Sequence, residues 1–156
     1  MAQQHDYKIG ITWTGNTGTG TSAYAAYERS YTVTAAGKQD MLCSADTPFR
    51  GDATKHNPET MLLMALSSCH MLWYLHLCAD AGIIVTDYKD EATGTLVLPA
   101  HASGHFKEVT LHPAVTVAEK WMVAKANELH KEAGKKCFIS NSVNFPVHHV
   151  STCVAG

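Results

Sequence analysis

The sequence has no C-x-x-C pair, no H-E-x-x-H motif, only two arginines (Arg29 and Arg50) and no unbroken run of eighteen apolar residues. Each absence excludes something. Without paired cysteines, the zinc-knuckle and thioredoxin-type signatures are missing. Met1 to Lys8 is polar, with no apolar segment behind it, so neither a secretory leader nor a membrane span is indicated. Charged residues are only 17% of the chain and the formal net charge is −2, which argues against nucleic-acid binding, because such proteins carry basic stripes that displace counterions. Lys131, Lys135 and Lys136 cluster, but they read as a solvated helix end rather than a phosphate track. The glycine-rich stretch Gly15 to Ser22 lacks both the Gly-Lys-Ser/Thr ending of a Walker loop and the following helix of a dinucleotide fingerprint, so it reads as a hairpin or loop.

What is present fits one globular domain: 156 residues, 46% of them hydrophobic, with no linker or internal repeat. The expected compartment is the cytoplasm. There the five cysteines stay reduced at rest, and a disulfide is more readily transient and catalytic than structural.

Alternation predicts strands at Tyr7 to Trp13, then Tyr31 to Ala35 and Met41 to Ala45 flanking a turn at Ala36-Gly37-Lys38. Asp46 to His56 is rich in turn formers. Asn57 can cap a helix, Pro58 suits its first position, Glu59 complements its dipole, and the helix runs to about Ala81 with Gly82 as its stop. Its apolar residues, from Met61 through Leu77, cover nearly every face. An all-round apolar helix needs burial on all sides, more than so short a chain supplies alone, so a second subunit is expected to cover part of it. Further strands are expected at Ile83 to Tyr88, Ala92 to Leu98 and Phe106 to Val117, the last bent at Pro113. An amphipathic helix over Ala118 to Ala133 should use Trp121, Ala124, Leu129 and Ala133 for its core face and end at Gly134, before a closing strand at Phe145 to Val150.

Two cysteines stand in unlike settings: Cys69 inside the long helix and Cys137 just after the second. Taken alone, Cys69 reads as a small core hydrophobe. It lies ten residues past Glu59, roughly 15 Å along the helix, where the dipole field has faded. A reactive thiolate there needs a cation from elsewhere, and Arg29 or Arg50 is the source available. One arginine cannot serve Glu59 and Cys69 of one straight helix. Antiparallel helices crossing near residue 64 of a two-fold dimer would bring Glu59 of one subunit beside Cys69 of the other. Cys78 is nine residues beyond Cys69, on the opposite face and about 13 Å away, too far for a disulfide, and reads as core. Cys43 and Cys153 have no chemical neighbours in sequence. The histidines, notably His70, His76, His130, His148 and His149, show no metal-ligand spacing and read as satisfied or exposed.

The chain resembles the OsmC/Ohr family of osmotically inducible and organic hydroperoxide resistance proteins. The residues that carry the resemblance are Tyr27-Glu28-Arg29, Ser44-Ala45-Asp46, Gly51-Asp52, Asn57-Pro58-Glu59, Ser68-Cys69-His70, Gly82-Ile83-Ile84-Val85 and Cys137-Phe138-Ile139-Ser140. The resemblance implies an α+β fold in an intertwined homodimer whose antiparallel sheets enclose central helices. It also implies a thiol peroxidase with Cys69 as the peroxidatic cysteine, Cys137 as the resolving one, Arg29 as thiolate partner and Glu59 as the carboxylate that orients the arginine. Phe138 departs from the proline that many relatives carry after the second cysteine, and Arg50 stays open as an alternative to Arg29. No cofactor or metal is expected beyond an external dithiol reductant, and the partners expected are a hydroperoxide, that dithiol and a second copy of the chain. The abundance of Met, Leu and Trp near Cys69 suits an organic hydroperoxide. A non-catalytic dimer binding an apolar small molecule, and a thiol redox sensor of the same fold, are the alternative readings.

Overall fold

A computed structural model describes residues 3–156. The fold is α+β, with two α-helices and three small sheets among the described residues. The chain divides into two compact units, Met1–Met61 and Leu62–Gly156.

The first unit holds an antiparallel sheet of β1 (Gly10–Trp13), β2 (Tyr31–Thr34) and β3 (Met41–Cys43), with Ile11 opposite Val33 and Thr32 opposite Leu42. The first strand is shorter than its sequence suggests: Tyr7 and Ile9 are exposed and lie outside it. Asp46 caps a short 3₁₀ turn, Thr47–Phe49, which ends at Arg50 in the left-handed region (φ 64°).

The long helix α1 (Pro58–Asp80) starts with a reciprocal cap: Thr60 N–H donates to Asn57 Oδ1 at 2.8 Å, and Asn57 N–H donates back to Thr60 Oγ1 at 3.2 Å. It ends at Gly82 (φ 69°), where Ile83 N–H reaches Cys78 O and Gly82 N–H reaches Ala79 O, a Schellman pattern that satisfies two terminal carbonyls. By length and composition alone α1 is long and apolar enough to cross a membrane. Its Leu66, His70, Tyr74 and Cys78, one residue per turn, are instead fully buried within the fold. Leu62, Leu63, Trp73, Leu75 and Leu77 are partly buried against the same core, but part of the apolar surface is left uncovered: Leu72 is 63% exposed and Met64 44%.

The second unit has two three-stranded sheets, β4-β7-β9 and β5-β6-β8, built from β4 (Val85–Asp90), β5 (Thr93–Val97), β6 (His105–Leu111), β7 (Pro113–Val117), β8 (Val147–His149) and β9 (Thr152–Ala155). The extended run expected as one bent strand is two strands in different sheets, because His112 breaks the ladder and turns its N–H to Asp90 Oδ1 (2.6 Å). β8 and β9 add in parallel to β6 and β7. No local pattern marks the final strand, since its four residues pair only with a distant partner.

The second helix also differs from the expected one. A 3₁₀ turn, Lys120–Met122, precedes α2 (Val123–Lys136), and the tighter turn shifts the phase, so that Trp121 is 68% exposed while Met122, Ala126, Leu129, His130 and Ala133 are buried. Gly134 does not end the helix. It sits inside it, where a Cβ would come within 2.8 Å of the His149 ring. Glycine is there for close approach, and the helix runs on to Lys135 and Lys136, whose charges complement its C-terminal dipole.

Two clusters form the core of this unit. One gathers Tyr74, Cys78, Ile83, Val115, Val117, Met122, Ala126, Leu129 and Ala133; the other gathers Leu66, Val109 and Leu111, with Ile139 and Phe145 packed against it. Burying each large side chain contributes about 1.5–3 kcal/mol, enough to fix both helices on the strands.

Candidate active site

Cys69 lies half-buried on α1, and Cys137 is the fully buried residue that terminates α2, where its N–H donates to Ala133 O. The backbone then turns at Phe138 and Ile139 into a short 3₁₀ segment, Ser140–Ser142. Three contacts hold the turn: Ser140 N–H donates to Cys137 Sγ at 3.4 Å, Asn141 N–H to Cys137 O at 3.0 Å, and the Phe138 ring meets Trp73 edge-on at 5.4 Å between centroids. Trp73 is one turn beyond Cys69 on the same helix face, so this docking sets the turn beside the Cys69 sulfur. The Cys137 thiol is a near neighbour of Cys69, close enough to perturb its titration.

Burial is the largest influence on the Cys69 thiol and pushes its pKa up, and the neighbouring Cys137 thiol adds to the rise. The backbone N–H groups of Ile139 and Phe138, close to the sulfur, pull the other way. Beside this pair, Leu72, Trp73 and His76 line an open apolar cavity of about 210 Å³.

Arg29 and Glu59 belong to the first unit. They share a cavity of about 320 Å³ walled by Trp13, Tyr27, Tyr31 and Phe49. The Arg29 guanidinium donates to Tyr27 O (2.6 Å) and Tyr24 O (2.7 Å), and it lies over both tyrosine rings, 4.0 and 4.3 Å from their centroids. Glu59 Oε2 is buried without a hydrogen-bond partner, and Arg29 and Glu59 form no ion pair. Arg50 is exposed and lines no part of that cavity. Cys78 and Cys43 are core residues, as expected of Cys78, and Cys153 is half-buried on β9. No cluster of His, Cys, Asp and Glu with metal-holding geometry occurs among the described residues.

The histidines depart from expectation. His70, His130 and His149 gather with Tyr74 in the second unit: His70 Nε2 and His130 Nδ1 are 3.1 Å apart, the His149 ring stacks on His70 at 4.3 Å, and Tyr74 stacks on His130 at 3.9 Å. His70 Nδ1, His130 Nε2 and His149 Nε2 are buried with no partner. Burial drives the pKa of His70 down to about 3 and that of His130 to about 4, and lowers His149 as well, with Asp90 opposing the fall at His130 and His149. A signal was available in the sequence: His70 keeps the four-residue spacing of Leu66, Tyr74 and Cys78, which puts it on the buried stripe.

A half-buried thiol next to a buried one, an apolar cavity beside them and a mixed α+β scaffold define a thiol-bearing protein of the OsmC-like kind. The OsmC-like protein family model matches residues 51–151, and the chain belongs to that family. An OsmC-like protein of unknown function from Vibrio cholerae O1 biovar eltor is 27% identical, covers 97% of this chain and 100% of its own, and superposes with a TM-score of 0.81. An organic hydroperoxide resistance protein OsmC from Legionella pneumophila shares the fold at 15% identity (TM-score 0.70, 97% of this chain, 98% of that one). An organic hydroperoxide resistance protein from Elizabethkingia anophelis, solved with thiocyanate bound, does so at 18% (TM-score 0.69, 99% and 100%). No curated protein matches the chain.

Proposed function

We propose that this protein is a thiol-dependent peroxidase that reduces organic hydroperoxides through Cys69 and Cys137. The observation that carries the reading is the proximity of the Cys137 thiol to Cys69. The Cys69 thiolate attacks the O–O bond of the hydroperoxide, taking one oxygen and releasing the alcohol; the sulfenic acid then reacts with the Cys137 thiol, forming S–S and expelling water before over-oxidation. A small or protein-bound dithiol returns both thiols. A cytoplasmic setting belongs to the same reading.

Burial raises the Cys69 thiol, so the thiolate requires a cation, and Arg29 is assigned that role. Its cavity with Glu59, which Arg50 does not line, favours it over Arg50. Glu59 is assigned the orienting role, its unpartnered Oε2 being free to receive the guanidinium. Ten residues of helix, roughly 15 Å, separate Glu59 from Cys69. The reading therefore takes the working unit as a homodimer with antiparallel α1 helices, Glu59 of one subunit serving Cys69 of the other. The uncovered Met64 and Leu72 supply apolar surface for that contact. The cavity of Leu72, Trp73 and His76 suits the hydrocarbon tail of an organic hydroperoxide over hydrogen peroxide.

The raised Cys69 thiol is also what an inert wall residue of an apolar-ligand binder would show, and chemistry separates the two. One equivalent of cumene hydroperoxide should yield an intramolecular Cys69–Cys137 disulfide by mass spectrometry, with repeated turnover when dithiothreitol is supplied. Cys69→Ser should abolish turnover, and Cys137→Ser should stop at sulfenic or over-oxidised Cys69. Equal peroxide consumption by wild type and Cys69→Ser would refute the assignment.

A further inference from the structure

We propose that His70 and His130 are a positioning pair that sets the register of α1 against α2 and so the approach of Cys137 to oxidised Cys69, an inference that rests on the peroxidase reading.

Three observations carry it. The first is placement: His70 follows Cys69 on α1, and His130 precedes Cys137 by seven residues, two turns of α2. A shift of one helix along the other at the histidines therefore reappears at the sulfurs.

The second is direction. Among the described residues the His70–His130 contact, 3.1 Å long between nearly coplanar rings (7°), is the one hydrogen bond that joins α1 to α2. Otherwise the helices meet through the Tyr74 ring stacked on His130, the Lys136 ammonium 5.4 Å over the Trp73 ring, and apolar side chains such as Ala126, Leu129 and Ala133, contacts whose looser geometry tolerates some sliding. A hydrogen bond is directional and does not.

The third is cost. The pair leaves His70 Nδ1 and His130 Nε2 buried and unpartnered, and an apolar pair would avoid that penalty. The cluster is thus a poor device for stability and a good one for geometry. It is braced from outside by His149, whose ring lies on His70 and occupies the space that Gly134 leaves open.

The step it governs balances as follows: the Cys137 sulfur attacks the Cys69 sulfenic sulfur, the S–O bond breaks as S–S forms, and the hydroxyl leaves with the Cys137 proton as water. Neither histidine touches the reacting atoms. The test uses the atoms of the contact. Asparagine places its amide near where His130 carries Nδ1, whereas glutamine reaches the position of Nε2. His130→Asn should therefore close the disulfide within about threefold of the wild-type rate, while His130→Gln should close about tenfold more slowly, the effect of losing one such hydrogen bond. At His70, where Nε2 makes the contact, the order reverses, with Gln the rescuing residue and Asn the disabling one. Closure is followed by quenched mass spectrometry after cumene hydroperoxide, and dimedone labelling of Cys69 separately reads the first oxidation, which should be unchanged throughout. Equal closure rates in the Asn and Gln variants at either position would overturn the proposal.

Two further measurements keep the outcomes distinct. Diamide links neighbouring thiols without peroxide chemistry: if peroxide leaves Cys69 untouched but diamide closure follows the same Asn and Gln order, the peroxidase reading fails and the positioning pair stands. If the variants do not fold, the imidazole ¹⁵N spectrum of the wild-type protein decides. It should show one exchange-protected N–H shared between His70 and His130, and two fully solvent-exchanging rings would overturn the pair.

Discussion

Acid should destabilise this protein before its carboxylates protonate, because His70 and His130 are buried as neutral bases. Their pKa values of about 3 and about 4 lie below the ordinary value of 6.5 that an unfolded chain recovers. Since the folded values are depressed, the unfolded state binds more protons below pH 6.5, so stability is complete above that point and is lost as pH falls toward 4 and then 3. Lowering the pH from 7.5 to 5.0 removes about 2 kcal/mol per histidine, about 4 kcal/mol for the pair, which is a large part of the 5–15 kcal/mol of a typical domain. Both residues are at most 3% exposed, so solvent relieves little of this. His149 adds in the same direction, while the Asp90 carboxylate beside His130 and His149 opposes it. Urea titrations at several pH values, with ionic strength and protein concentration fixed, read the effect as a falling midpoint at constant slope. In the double variant His70→Phe/His130→Phe the dependence between pH 7.5 and 5.0 should flatten by about the same amount. A wild-type midpoint constant across that range, or an equal loss in the double variant, would refute the reasoning.

Two other substitutions test the packing. Gly134→Ala should destabilise by about 1–3 kcal/mol in urea melts, although alanine favours a helix by about 1 kcal/mol, because the new methyl meets the His149 ring; a stabilised variant would show that the ring moves aside freely. Leu72→Glu, placing a charge on the uncovered face of α1, should convert the proposed dimer to monomer in sedimentation velocity and reduce peroxide turnover with it, and an unchanged sedimentation coefficient would count against that face as the interface.

The parts of the fold legible in the sequence are those whose causes are local. Asn57, Pro58 and Gly82 mark the ends of α1 because caps and stops act within a few residues, and Thr60 merely completes the cap. Cys69 and Cys137 are near neighbours although 68 residues separate them in sequence, and only the family resemblance relates them. What stayed hidden depends on tertiary context. Gly134 looked like a stop because glycine usually is one, and only the His149 ring against it explains a glycine inside a helix. The phase of α2 turned on a 3₁₀ turn at Lys120–Met122, and the exchange of strands between sheets turned on a side chain from another strand, Asp90. The imidazole cluster draws one member each from α1, α2 and β8, which no spacing rule connects.

Asp90 accepts from the Ser67 hydroxyl on α1 and from the His112 N–H at the level where the chain leaves one sheet for the other. Because β4 runs into β5, and β6 into β7, across that level, neither sheet is free to open while the other stays shut. Amide exchange from the two should therefore share a single opening event, so that a lesion in either sheet loosens both thiol-bearing helices at once.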